Sequence, residues 1–233
     1  MAETGTRTVE RALTLLAAVA QGGGTLSQLA RTANLSPTTA SRLLATLAGQ
    51  DLVRRDEHGR YHAGTRLRQL AAASLRTDPL HELAGSHLAT LAAETGETAN
   101  LAVAADSRQV VYLRQVASPR LVQTAAWAGR TIPRRGTALG AALRGDVGEH
   151  GYVARSGAVE PDVTSIAAPV HGPDGEIVAV LSVLAPNYRM TARRVEACGR
   201  AVARRAAELS DSLGYAGQVS ASRAVGARSG AAA

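Results

Sequence analysis

The chain has 233 residues, 45% hydrophobic and 19% charged, as in an ordinary globular protein, and it lacks both an apolar run of about 18 residues and the pattern of a signal peptide. Its one cysteine, Cys198, excludes an intrachain disulfide and favours a reducing compartment, the cytoplasm. The net charge of +7 favours polyanionic partners, but it is spread along the chain and specifies none by itself.

The first predicted helix covers residues 9–20, because apolar residues recur there at the spacing of one helical face. That face consists of Val9, Leu13, Leu16 and Ala20. Three glycines at 22–24 end the helix, and we expect a flexible N-terminus at residues 1–6.

Two further helices follow, with a tight turn at Asn34-Leu35 between them. One begins at Thr25, which forms the spacing of a capping box with Gln28. The next begins after Ser36, a favourable N-cap, with a proline at the first helical position, where its missing N–H costs nothing. The residues predicted to be buried are Leu26, Leu29, Ala30 and Ala33 in one helix, and Ala40, Leu43, Leu44 and Leu47 in the other.

A short hairpin is predicted after the third helix. The stretches 52–55 and 60–63 are extended in character, and the polar link 56–59 between them ends in glycine, as a four-residue hairpin loop does. Three helices followed by a hairpin predict a winged helix-turn-helix over residues 7–64. In such a domain the second of two crossed helices lies in the major groove.

The exposed side of the third helix offers short hydroxyl groups and one long donor. Threonines can contact phosphate oxygens or a thymine methyl, and Arg42 can pair with guanine or with a phosphate. An inert solvated helix and a protein-contact domain are the alternatives, but the conjunction of capped helix and arginine-bearing hairpin favours DNA. The predicted DNA-binding residues are Ser36, Thr38, Thr39, Ser41 and Arg42 on the helix, Arg54, Arg55 and Arg60 on the wing, and Arg11 on the first helix.

The rest of the chain mixes helices and strands, which predicts an α+β fold. A linker helix is expected within 65–79, and a domain for effector binding or oligomerisation within 80–215. Its predicted elements are a helix over 80–95, strands at 98–104, 109–116, 165–170 and 177–184, and a closing helix over 191–213. Residues 216–233 are almost free of large apolar groups and are predicted to form a disordered tail.

Enzyme chemistry finds no support in the sequence. The histidines show no metal-ligand spacing, and no nucleophile elbow, phosphate-binding loop or dinucleotide fingerprint occurs. Cys198 fits a buried structural thiol better than a nucleophile. We therefore predict no catalytic residue, no metal and no cofactor. Trp127 fits either a cover over a ligand pocket or a packing role.

The chain resembles the isocitrate lyase regulator (IclR) family over about residues 7–215. The similarity is carried by TRTVERALTLLAAV, LSQLARTANLSPTTASRLLATLAGQDLVRRD and GRYHAGTRL in the first half, and by ETGETANLAVA and GYVARSGAVEPDVTSIAAPVHGPDGEIVAVLSV in the second. It implies a homodimer or a dimer of dimers on a partly palindromic double-stranded operator. It also implies a GAF-like C-terminal domain, with a curved antiparallel sheet, that binds small metabolites.

The sequence departs from the family in this C-terminal domain. Only residues 144–150 separate Leu143 from the Gly-Tyr strand, where the family has several tens of residues, so we expect a shallow, open or absent pocket. By the resemblance, the ligand-binding positions are Ala138, Leu139, Arg155, Ser165 and Ser182. Arg155 in the pocket would favour an anion. An exposed strand end for Arg155, and plain core positions for the serines, are equally open.

The function predicted is that of a sequence-specific transcriptional regulator, a repressor that occludes a promoter under control by a small organic acid. The alternative is a regulator whose C-terminal domain serves ligand-independent oligomerisation or protein docking. Operator sequence, effector and sign of regulation stay open at this level, and no membrane partner is expected.

Overall fold

The computed structural model describes residues 3–215, and the side chains of all of these except residues 3–5 and 75. Within it the chain divides into two compact units, Met1–Asp78 and Pro79–Ala233. The tail predicted at 216–233 lies outside the described residues.

The first unit combines helices with a small antiparallel sheet. Its helices are α1 (Glu3–Ala20), α2 (Leu26–Thr32), α3 (Pro37–Gly49) and α4 (Thr65–Arg76). Its strands are β1 (Gly24–Thr25), β2 (Val53–Arg55) and β3 (Arg60–Ala63), which pair in the order β1-β3-β2. The predicted helix-turn-helix and hairpin are confirmed, whereas β1 was not predicted because two residues carry no periodicity.

Helix α1 differs from its prediction in both start and orientation. It begins at Glu3, so it includes part of the segment that we expected to be flexible. The apolar face noted in the sequence is only partly the one that meets the core, because Val9 and Leu13 are each 57% exposed, Leu16 packs against the core, and Leu15 and Val19 are buried. Apolar residues occur on both sides of α1, and periodicity alone cannot say which side meets the neighbouring helices.

The core of the first unit forms where α1, α2, α3 and the hairpin meet. As predicted, Leu29 and Ala30 of α2 are buried, and Leu26 and Ala33 pack beside them. Three of the four predicted residues of α3 are buried, and the fourth, Leu43, packs against the cluster. Burial of a leucine or valine side chain stabilises a fold by about 1.5–3 kcal/mol. The buried members are Leu15, Val19, Leu29, Ala30, Ala40, Leu44, Leu47, Val53 and Tyr61.

The second unit is built on a six-stranded, wholly antiparallel sheet in the order β6-β5-β4-β9-β8-β7. The strands are β4 (Thr98–Ala104), β5 (Gln109–Val116), β6 (Thr131–Pro133), β7 (Val153–Ser156), β8 (Val163–His171) and β9 (Ile177–Pro186). The helices are α5 (Pro79–Thr95), α6 (Ala138–Ala142) and α7 (Ala192–Ser212). The curled antiparallel sheet and the mixed fold class are confirmed.

The two faces of the sheet have separate cores, because successive residues of a strand point to opposite sides. One face of β4, β8 and β9 packs against α5 and α7, with Leu101, Ile166 and Leu181 at the centre. The opposite face packs against α6 and Trp127. This second face contains the C-terminal positions expected to bind a ligand.

Within the described residues, no helix is long and apolar enough to cross a membrane.

Candidate nucleic-acid interface and ligand cavity

The turn before α3 fixes where that helix begins. Asn34 adopts a left-handed backbone with φ of 52°, a conformation that asparagine tolerates better than most residues. The N–H of Leu35 donates to the carbonyl of Ala30 at 2.9 Å, which closes the end of α2. The turn predicted at Asn34-Leu35 is therefore confirmed, and α3 leaves it in a defined direction.

Helix α3 presents a polar face at its N-terminal end. The hydroxyl of Ser36 accepts the backbone N–H of Thr39 at 3.2 Å and lies 2.9 Å from the Thr39 hydroxyl. Ser36, Thr38, Ser41 and Arg42 are exposed, whereas Thr39 is half-buried. All five predicted residues thus lie at or near the start of α3. Thr39 is the least available of them, because its hydroxyl is within hydrogen-bond distance of Ser36.

The wing is stabilised by one carboxylate. Oδ1 of Asp56 accepts the backbone N–H groups of His58 at 3.0 Å and Arg60 at 2.8 Å. Its Oδ2 lies 2.6 Å from Nε2 of His62, and this hydrogen bond is the main cause of the lowered pKa of Asp56. Gly59 closes the loop with φ of +76°, a conformation natural to glycine. Sequence reasoning did not single out Asp56 or His62 for this role.

The predicted basic residues outside α3 differ in their exposure and in their contacts within the protein. Arg54 and Arg60 are exposed on the wing strands. Arg55 is engaged within the wing, since its Nε donates to the Gly59 carbonyl at 3.4 Å and its guanidinium carbon lies 5.7 Å from the Tyr61 ring centre. Arg11 is half-buried on α1. Arg54 and Arg60 are thus freer to meet a phosphate than Arg55.

A small cavity lies between α6 and the sheet of the second unit. Its volume is about 30 Å³, enough for about two waters, whereas ligand sites usually measure about 300–1,000 Å³. The expectation of a reduced pocket is consistent with this size. Sequence reasoning did not identify most of its wall. The wall residues outside the predicted set are Tyr112, Trp127, Ile132, Thr137, Ala158, Val159, Glu160, Val163 and Leu184.

Four of the five predicted ligand positions meet at this cavity. Ala138 and Leu139 line it from the first turn of α6, Arg155 from β7 and Ser165 from β8. Arg155 and Ser165 are direct partners across the β7–β8 ladder. Arg155 is exposed near the end of β7 and also lines the cavity. It forms no ion pair with any described residue.

Ser182 is the predicted position that does not line the cavity. It is fully buried on β9, and the larger Leu184, two residues further along the same face, lines the wall in its place. Three buried polar atoms on this face, Oδ1 of Asn100 and the hydroxyls of Ser165 and Ser182, have no partner among the described residues. Asn100 and Ser182 are opposite each other on β4 and β9. This face of the sheet therefore carries buried polar groups that the mostly apolar lining of the cavity does not reveal.

The aromatic side of the cavity depends on Trp127. Its ring centre lies 5.6 Å from that of Tyr112. The guanidinium carbon of the exposed Arg130 lies 4.7 Å from the ring centre of Trp127. The backbone N–H of Trp127 donates to the side chain of Gln115 at 2.7 Å. Burial raises the pKa of Tyr112, so the phenol is neutral at physiological pH. Trp127 packs in the core of this face and also lines the cavity, so the two roles considered from the sequence do not exclude each other.

Helix α6 approaches the chain before it very closely. A Cβ on Gly140 would lie 1.6 Å from the carbonyl oxygen of Arg134, so no other residue fits there. The hydroxyl of Thr137 accepts the N–H of Gly140 at 3.1 Å and caps the helix. Sequence reasoning did not predict α6 as a helix, because a five-residue element is too short for a helical pattern.

Other chemistry is limited in the described part of the chain. No group of three or more His, Cys, Asp or Glu side chains could hold a metal ion there. Cys198 is buried in α7, and burial raises the pKa of its thiol. The thiol is thus protonated at neutral pH and poorly nucleophilic.

Family models match both halves of the chain. The IclR helix-turn-helix domain matches residues 8–57, and the C-terminal domain of the bacterial transcriptional regulator IclR matches residues 72–145 and 145–211. The two C-terminal segments meet at residue 145, inside the stretch that we expected to be shorter than in the family. A curated relative, the HTH-type transcriptional regulator BhcR of Paracoccus denitrificans, is 27% identical, with 88% of this chain and 87% of that protein covered.

Solved structures share the fold at low identity. An IclR transcriptional regulator from Alicyclobacillus acidocaldarius superimposes with a TM-score of 0.75 at 24% identity, covering 89% of this chain and 99% of that one. An IclR homologue from Microbacterium hydrocarbonoxydans, complexed with 4-hydroxybenzoate, gives a TM-score of 0.71 at 22% identity, covering 88% and 98%. These likenesses show that the chain shares its fold with both structures.

Proposed function

Because the chain belongs to the IclR family of bacterial transcriptional regulators, we propose that it is a cytoplasmic, sequence-specific DNA-binding repressor. It binds a partly palindromic double-stranded operator as a homodimer or a dimer of dimers. A bound dimer is sufficient to occlude a promoter, which is the reason for proposing repression.

The polar face of α3 is the observation that carries this proposal. The Ser36 cap holds the first turn in place, and Thr38, Ser41 and Arg42 extend from it into solvent. Side chains on a rigid, capped helix can contact base edges with little loss of conformational entropy. Arg54 and Arg60 of the wing are placed for phosphates or the minor groove. In this proposal α3 determines sequence and the wing contributes affinity.

The proposed dimer rests on apolar residues that the first unit leaves in solvent. Val9 and Leu13 on α1 and Leu70 on α4 are each more than half exposed. Exposed apolar groups of this size on two helices suit a protein contact. A two-fold symmetric dimer would place two α3 helices on half-sites one or more helical turns apart.

The proposed effector is a small organic acid. Arg155 supplies a positive charge at the cavity mouth and Ser165 a hydroxyl within it, and a related structure binds 4-hydroxybenzoate. A ligand of that size needs more than the present 30 Å³. Enlargement would come from the exposed segment 157–162, because Ala158, Val159 and Glu160 form the outer wall.

The small cavity also favours the alternative, a C-terminal domain that serves only oligomerisation or protein docking. The two are separated by thermal denaturation of the full chain against a panel of small carboxylates. A melting temperature that rises with ligand concentration, as mass action requires, supports the effector. A melting temperature that no acid changes supports the alternative.

DNA binding is tested by electrophoretic mobility shift with the DNA upstream of the gene. We expect a retarded complex at moderate salt that survives excess unrelated DNA. Equal competition by unrelated and upstream DNA would overturn sequence-specific binding. DNase footprinting of the complex should then protect a two-fold symmetric site.

A further inference from the structure

A second surface of the C-terminal unit concentrates positive charge. Four arginines line one open groove at the edge of the sheet, well separated along the chain from the residues of the candidate DNA interface. The groove residues are Ser107, Arg108, Pro133, Arg134, Arg135 and Arg144, and the groove has a volume of about 500 Å³. None of its charged residues belongs to the small cavity.

The backbone holds these arginines together. The N–H of Arg134 donates to the carbonyl of Arg108 at 2.7 Å, which joins the turn before β5 to the end of β6. The side chain of Arg134 then donates to the carbonyl of Leu143 at 3.2 Å, which brings the end of α6, and Arg144 after it, to the same place. Two hydrogen bonds of Arg134 therefore bring together three segments of the chain that each carry an arginine of the groove.

Little negative charge opposes this cluster. Asp146 pairs with Arg144 at 2.8 Å, and Arg108, Arg134 and Arg135 form no ion pair with any described residue. The nearby carboxylate of Asp106 accepts the backbone N–H groups of Arg108 and Gln109, so it stabilises the turn. Three guanidinium charges consequently lack a paired carboxylate.

One buried donor in the cluster also lacks an acceptor. Nε of Arg134 is inaccessible to solvent and donates to none of the described residues, and a buried donor without an acceptor is unfavourable. Arg108, Arg135 and Arg144 are exposed around the half-buried Arg134. A single acceptor-rich group in the groove would therefore meet guanidinium donors from several arginines at once.

We propose that this groove is a binding site for a phosphate-bearing small anion, separate from the effector cavity. A phosphoryl group carries about 1.5–2 negative charges near neutral pH and three acceptor oxygens, and guanidinium groups bind it in a bidentate manner. A monocarboxylate would neutralise only one of the three unpaired charges. The carbonyl of Arg134 accepts the hydroxyl of Thr137, the N-cap of α6, at 3.1 Å, and its side chain donates to Leu143 at the other end. Because Arg134 contacts both ends of α6, the bound anion would also stabilise that helix. The site does not depend on the proposed binding of DNA.

The test measures binding of inorganic phosphate and, in a second arm, of ribose 5-phosphate to the full-length protein by calorimetry. Ionic strength is held constant with chloride, and unphosphorylated ribose is the ligand control. The double variant Arg108→Gln/Arg135→Gln removes two exposed groove charges and leaves the bridging Arg134 in place. The matched control, Arg193→Gln/Arg200→Gln, removes two exposed charges from α7, outside the groove.

We expect the groove variant to bind the phosphorylated probe about tenfold more weakly, equivalent to about 1.4 kcal/mol, and the control variant to bind as the wild type does. Tighter binding of ribose 5-phosphate than of inorganic phosphate would assign the site to a phosphate ester, and the reverse order to the free ion. Equal weakening in both double variants, or no binding of either probe by the wild type, would overturn the proposal. Loss of DNA affinity alone in the groove variant would also overturn it, in favour of a DNA contact.

Discussion

Arg189 holds the carboxylate of Glu97 through two hydrogen bonds of 3.0 and 2.7 Å, one from each of two nitrogens of the guanidinium. The Glu97 side chain is 1% exposed, and the hydrogen bond to it raises the pKa of Arg189. Arg120 approaches the same carboxylate at 3.9 Å. The pair joins Glu97, the residue before β4, to the 3-10 turn Asn187–Arg189 after β9, at one end of the paired strands β4 and β9.

Arg189→Met should destabilise the protein by about 3–5 kcal/mol, because it leaves a buried carboxylate without its main partner. Arg200→Met, which breaks an exposed pair with Glu196, should cost no more than about 1 kcal/mol. Urea denaturation measures both. The double variant Glu97→Leu/Arg189→Met should recover much of the loss, and a double variant as unstable as the single one would contradict this account.

Arg42→Ala should weaken operator binding by about 1–3 kcal/mol and relax specificity at one position, if Arg42 contacts a base edge. On the proposal that Arg54 contacts a phosphate, Arg54→Ala should instead weaken binding to all DNA sequences alike and lower the slope of log affinity against log salt concentration by about one. Fluorescence anisotropy on operator and scrambled duplexes at several salt concentrations separates these effects. Arg193→Ala, on α7, serves as the control, and identical behaviour of all three variants would argue against the assigned roles.

Ser182→Ala should leave stability unchanged or raise it slightly, because the buried hydroxyl of Ser182 has no partner among the described residues and removing it relieves a desolvation cost. Ser210 is the matched control. Its buried hydroxyl accepts the N–H of His171 at 2.9 Å and donates to Ala206 at 2.7 Å, so Ser210→Ala should cost about 1–3 kcal/mol. Comparable losses in the two variants, measured by thermal denaturation, would show that the Ser182 hydroxyl is satisfied after all.

The Asp56 carboxyl should titrate below its ordinary value of 3.8, and His62→Ala should move the midpoint back towards that value. Since the folded-state pKa is the lower one, the carboxylate stabilises the wing above pH 3.8, and this stabilisation is lost as the pH falls through the folded-state value. Carbon-detected NMR of the carboxyl group reports both midpoints. His58→Ala is the control, because His58 contributes only its backbone N–H to Asp56. An unshifted midpoint in the wild type would be inconsistent with the hydrogen-bonded wing.

Cys198 should react with a thiol reagent only when the protein unfolds, since the side chain is buried and burial raises the pKa of the thiol. Labelling rates at rising urea should follow the population of unfolded protein. A cysteine introduced by Ser41→Cys, on an exposed position of α3, supplies the fast-reacting control. Rapid labelling of Cys198 in native buffer would show that α7 opens locally.

Much of the fold follows from local patterns in the sequence. The caps at Thr25 and Ser36, the left-handed turn at Asn34 and the glycine of the wing loop act over three or four residues. Strands β4 and β5 were predicted at the observed limits, because turn residues border both apolar runs. The resemblance to a family then connected these elements in the observed order, and four of the five ligand positions that it implied line one cavity.

Sequence alone determined the type of most elements and the face of α3 that meets solvent, because those properties depend on spacing within a single element. Only the tertiary structure decided which side of α1 is buried, why Leu184 rather than Ser182 lines the cavity, and that Arg108, Arg134, Arg135 and Arg144 share one groove. The bidentate contact of Arg189 with Glu97, 92 positions apart in the chain, was likewise decided by the tertiary structure alone. Each of these depends on residues that are distant in the chain, and their distances are set by strand register and helix packing, which no local pattern encodes.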